Sequence, residues 1–215
     1  MDADFETLRN DLERLRTSRF KPSLFGADCH KYLVRPPLSE LEVTSFERDH
    51  RVALPADYRQ FLLQVGNGGA GPYYGLFALG EWDEGTWKEG DGFIGNLSEP
   101  FPHVAAWNDL GGEPDYDEPN QDELERQVNA FDESYWNPAN VNGAIPICHL
   151  GCARRQWLVV TGPEAGHIWC DDRVDHRGLY PLSAPGCVRV TFFRWYRTWL
   201  DKAILPYRKY PWYGD

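Results

Sequence analysis

The sequence predicts an α+β domain. Three observations carry that expectation. Helix signals with defined caps dominate the first third of the chain, strand signals cluster between residues 144 and 191, and an aromatic helix closes the sequence. Strands gathered behind helices, rather than alternating with them, disfavour a parallel βαβ sheet.

Taken in order, Phe5, Leu8, Leu12 and Leu15 recur at helical spacing and predict an amphipathic first helix. Residues 21–37 read as a connector with a short apolar element at Tyr32-Leu33-Val34. A second helix starts at Ser39, where Glu42 completes a capping box and Leu38 with Val43 fits a hydrophobic staple. In LPADYRQFLLQVG, Pro55 suits the first helical position, Tyr58, Phe61, Leu62 and Val65 share a face, and Gly66 is expected to supply a left-handed stop. A glycine-rich turn then enters an expected strand over Tyr73–Leu79. Residues 81–119 read as a long excursion with little regular structure. Asn120 and Glu123 make another cap signal, leading into a helix with Leu124, Val128 and Phe131 inward. Strands are expected at Ala144–Leu150, Gln156–Thr161 and His167–Asp171, the last two joined as an antiparallel hairpin, with another over Cys187–Thr191. FFRWYRTWLDKAIL forms the closing helix, expected to stop near Pro206.

The net charge of −11 is concentrated. Between Glu81 and Glu133 stand 16 acidic residues against Lys88 and Arg126, so this segment carries all the net negative charge. Such a field repels nucleic acid and attracts basic partners. The charged opening segment has no signal-peptide core, and no stretch has the apolar length of a membrane span. Five cysteines, an odd and thinly spread set, fit a reduced cytoplasmic setting.

Several candidate sites have a plainer structural alternative. Gly66, Gly68 and Gly71 match a dinucleotide fingerprint, but the expected order of helix before and strand after reverses what that fingerprint requires. Cys148, His149, Cys152, His167 and Cys170 lack C-x-x-C spacing, and Cys148 and His149 point to opposite faces of a strand. Asp115, Asp117, Asn120, Asp122 and Glu123 lack the ligand order and central glycine of a calcium loop. There is no G-x-S-x-G, H-E-x-x-H or Walker motif. The expectation is a non-enzymatic protein with no metal or other cofactor.

LPADYRQFLLQVGNGGAGPYYGLFALG resembles the signature of the SUKH superfamily, the Smi/Knr-type domains. GAIPICHLGC, QWLVVTG, GHIWCD and FFRWYRTWL agree with its later elements, so the resemblance runs from about Leu38 to Leu205. It implies one domain over 38–215, with a twisted, mainly antiparallel sheet packed against several helices, and a helical extension over 1–37. It also implies an immunity-type protein that binds a cognate toxin, and it carries no catalytic residues. Nuclease toxins tend to have a basic cleft, so an acidic, aromatic surface would compete for it. The candidate partner-binding residues are Trp82, Asp83, Glu84, Trp87, Asp115, Asp117 and Glu118. The alternative for each is a core tryptophan or a merely solvated acid. A regulatory scaffold that binds an endogenous protein or small ligand is the rival function. Neither nucleic acid nor membrane is an expected partner.

Overall fold

The computed structural model describes residues 4–19, 21–82, 85–86 and 94–209. Its element order is α1 (Phe5–Thr17), α2 (Ala27–His30), α3 (Glu40–His50), α4 (Ala56–Gln64), β1 (Glu81–Trp82), β2 (Gly85–Thr86), α5 (Gln121–Tyr135), β3 (Ala144–Gly151), β4 (Arg154–Val159), β5 (Ile168–Asp171), β6 (Leu179–Pro181) and α6 (Phe192–Lys209). This is the expected α+β domain, with antiparallel strands ordered β3-β4-β5-β6.

Each long helix follows from its spacing. In α1 the residues Phe5, Leu8, Leu12 and Leu15 are all buried, and Asp4 caps the first turn by accepting the Thr7 N–H at 2.9 Å. The Ser39–Glu42 capping box forms in both directions. Tyr58, Phe61 and Leu62 bury the inner face of α4 against Phe192 and Tyr196 of α6. Phe5 and Phe193 meet edge to face at 5.2 Å, which joins α1 to α6 in the same core.

Alternation along β4 sorts the two faces of the sheet. Gln156 points toward α6, where its Oε1 accepts the Trp195 indole N–H at 2.9 Å. Trp157 points the other way and donates to Asp171 at 3.1 Å. Asp171 holds Arg173, whose Nη1 donates to the carbonyl of Tyr135 at the end of α5. Helices α6 and α5 therefore serve opposite faces.

Several expectations are corrected. Tyr73–Leu79 is not a strand; it turns, with Tyr73 left-handed (φ 52°), and pairs only at single bridges from Leu76 to Gly69 and Cys148. Cys187–Thr191 likewise makes only isolated bridges. Gly66 is not left-handed. It is needed because a Cβ there would collide with Val34 Cγ1 and the Arg35 carbonyl. Pro55 is the cap of α4 rather than its first helical residue. Pro206 lies inside α6, which runs on to Lys209. Asn120 caps α5, but Glu123 turns to Arg126 and Gln127, and Glu118 accepts the Asn120 N–H instead.

His30 gives the fold a pH response. It is buried beside Tyr32 and Trp199; Nδ1 accepts the Tyr32 N–H at 3.1 Å, while Nε2 is buried without a hydrogen bond of good geometry. Burial lowers its pKa, partly offset by the Gly71 backbone. The unfolded chain therefore takes up the proton first, so stability is full above the ordinary histidine pKa of about 6.5 and falls as pH drops below it. His103, also lowered by burial, acts with the same sign. Urea midpoints at pH 7.5 and 5.5 should differ less for His30→Leu than for wild type. Equal differences would remove His30 from this response.

Candidate functional site

The acidic segment is organised around α5. Asp122 and Glu123 occupy its first turn, where negative charge opposes the positive end of the helix dipole. Its last turn has no base of its own, and Arg173 supplies one from the turn just after β5. The Arg173 guanidinium also lies 5.0 Å over the Trp136 ring. Tyr135 stacks on Trp107 at 5.5 Å and donates its hydroxyl to Asn108 at 2.6 Å. Trp107 in turn bridges to Leu179 of β6. The C-terminal end of α5 is thus clamped, and the acidic loop before it is carried on a fixed support.

That loop, residues 115–120, is a turn that bonds its own backbone. Asp115 Oδ1 accepts the Asp117 N–H at 3.1 Å, Glu118 Oε1 accepts the Asn120 N–H at 2.9 Å, and the Asp115 N–H donates to Gln127 at 2.9 Å. Asp115 and Asp117 are exposed, Glu118 is half-buried, and Tyr116 between them is 66% exposed. From Asp109 to Glu133 there are ten carboxylates and one arginine. That arginine, Arg126, is engaged by Glu123 at 2.5 Å, and the pairing holds the Glu123 carboxyl down to about 2. Most of the remaining carboxylates are exposed with no counter-charge from this stretch, although Glu113 lies 3.3 Å from His176 Nδ1. Such an arrangement steers cations and cationic proteins.

The structure brings Asp115, Asp117 and Glu118 together and leaves Trp82 outside their turn. Trp82 is half-buried at the β3 edge, with the Arg155 guanidinium 5.4 Å over its ring. Asp83, Glu84 and Trp87 lie outside the described residues. Tyr116 escaped the sequence reading, although an aromatic residue flanked by acids between Pro114 and Pro119 was a readable signal. Arg173 escaped it too, because its role depends on partners distant in sequence.

Two of the cysteines are buried thiols. Burial raises the Cys148 thiol far above its ordinary pKa and pushes Cys170 up to about 11, so neither supplies a thiolate nucleophile. Among the described residues, no group of three or more His, Cys, Asp or Glu side chains is placed to hold a metal ion. Among the same residues, no helix is long and apolar enough to cross a membrane.

A sheet with helices on both faces and a supported, acidic loop define the class: an α+β domain whose distinctive chemistry lies on its surface. The chain belongs to the SMI1 / KNR4 family (SUKH-1), whose model matches residues 37–185. The match stops before α6 and begins after α1, the two helices that pack against each other. No curated protein and no solved structure matches the chain.

Proposed function

We propose that this chain is a cytoplasmic, immunity-type binding protein that neutralises a basic toxin, a nuclease being the best electrostatic fit, by covering its active site. It acts by binding rather than catalysis. The observation that carries the reading is the charge of the α5 region: ten carboxylates against one already paired arginine, presented by a helix tied to the sheet through Arg173. Complementary fields of this kind speed encounter and discourage wrong partners. Membership of the SUKH-1 family supports the reading, because the family resemblance implies immunity proteins among its members. Five free cysteines fit a reducing compartment.

Co-purification from the native host, followed by a toxicity rescue, tests it. The captured partner expressed alone should arrest growth, and co-expression of this chain should restore it. A partner that is harmless when expressed alone would sink the immunity reading and favour an interaction module for an endogenous protein.

A further inference from the structure

On the face opposite α5, a groove of about 430 Å³ runs along α6. Its walls are mainly apolar: Trp195 and Trp199 from α6, Leu182 from the segment after β6, and Phe25 and Tyr73 from two loops, with Gln156 of β4 among the polar groups. Phe25 is 65% exposed and Tyr73 38%, with their rings edge to face at 6.4 Å. Tyr73 is held left-handed, a conformation a bulky residue adopts typically where surrounding structure imposes it. Gly26 packs its backbone so tightly on the Tyr73 carbonyl that a Cβ would not fit, which locks this wall of the groove.

Two cationic side chains stand at the groove, while the Asp172 carboxylate also lies close enough to act on the Tyr73 hydroxyl. Lys202 lines it, and Arg194, two turns earlier on the same helix, donates to the Pro185 carbonyl in the groove wall at 3.3 Å. Both side chains are exposed. Among the described residues no carboxylate lines the groove, and nearby Asp201 is engaged by Arg197 at 2.6 Å. The site therefore fits an aromatic side chain flanked by acids. The chain itself displays such a segment: Tyr116 between Asp115 and Asp117. Because α5 and α6 cover opposite faces of the sheet, that loop cannot reach its own groove.

We propose that the α6 groove receives the Tyr116 loop of a second copy of this chain, so that the protein associates head to tail. The Tyr116 ring enters between Phe25, Tyr73 and Trp195, while Asp115 and Asp117 face Lys202 and Arg194. Loop and groove are different surfaces, so each contact leaves one loop and one groove open, and association continues as a ring or an open chain. The proposal rests on the same acidic loop assigned above to partner binding. A basic partner and a second copy would therefore exclude each other.

Sedimentation velocity on the purified protein, with no partner present, tests the association alone. The weight-average mass should rise above the 24.8 kDa monomer as concentration increases, and less so at high salt. Tyr116→Ala and the double variant Arg194→Glu/Lys202→Glu should each weaken association about tenfold or more, as loss of a central anchor does. Melting temperatures near wild type would establish that both variants fold. The decisive arm mixes the two. Tyr116→Ala keeps its groove and the double variant keeps its loop, so the mixture should form one-to-one dimers and stop there. A protein monomeric at all concentrations, association that survives both variants, or variants that fail to pair when mixed would each overturn the proposal. None of these outcomes bears on toxin binding, which is measured with the partner present.

Discussion

Replacing Arg173 by methionine should lower the stability of the domain by about 3–5 kcal/mol, because it strands a buried carboxylate. Asp171 and Arg173 are each about 5% exposed and meet at 2.7 Å. Asp171 accepts the Arg173 Nε–H, Nη2–H and backbone N–H, and also the Trp157 indole N–H. Removing the guanidinium leaves the negative charge with two neutral donors in a site closed to water. The companion variant Asp171→Asn/Arg173→Met tests the cause, since asparagine keeps an acceptor for Trp157 but carries no charge. Most of the lost stability should return in the double variant. Urea unfolding of the three proteins measures both effects. A single variant within about 1 kcal/mol of wild type would show that the pair does not hold this corner together.

The same pair explains why the site was only partly readable. The acidic composition of residues 81–133 and the Asn120 cap are local signals, visible in sequence. The anchoring of α5 is not, because Arg173 reaches a carbonyl 38 residues earlier and its counter-charge lies on the sheet. The fold divides along the same line. Helices α1, α3 and α4 follow from spacing and caps that act within a turn or two, and strands β3 to β5 from apolar, β-branched runs. Strand β6 is three residues ending in Pro181, and it exists because β5 offers it an edge. Tyr73–Leu79 has the composition of a strand, yet Gly69 and Gly75, both left-handed, bend the backbone so that only Leu76 pairs. The groove along α6 collects walls from five separate segments, so no stretch of sequence announces it.

Reversing the charge of Asp115, Asp117 and Glu118 to lysine should slow association with a basic partner by about ten- to a hundredfold at low salt, since steering raises on-rates by factors of 10–10³. The three side chains lie on one turn that faces solvent, and the change converts six units of charge in a stretch whose one arginine is already paired. The fold should tolerate it, although the Asp117 and Asn120 N–H groups lose their carboxylate acceptors, a loss confined to an exposed loop. Added salt should erase most of the difference between variant and wild type, because exposed charges are screened beyond about 8 Å at physiological ionic strength. Trp82→Ala gives the contrasting case. Its ring is already covered on one side by Arg155, so if the other side meets the partner the variant should dissociate faster with little change in on-rate. Surface binding kinetics against the captured partner at two salt concentrations separates these effects. A triple variant with the wild-type on-rate and the wild-type salt response would move the interface away from the 115–120 loop, leaving the α5 charge as a means of staying soluble rather than of finding a partner.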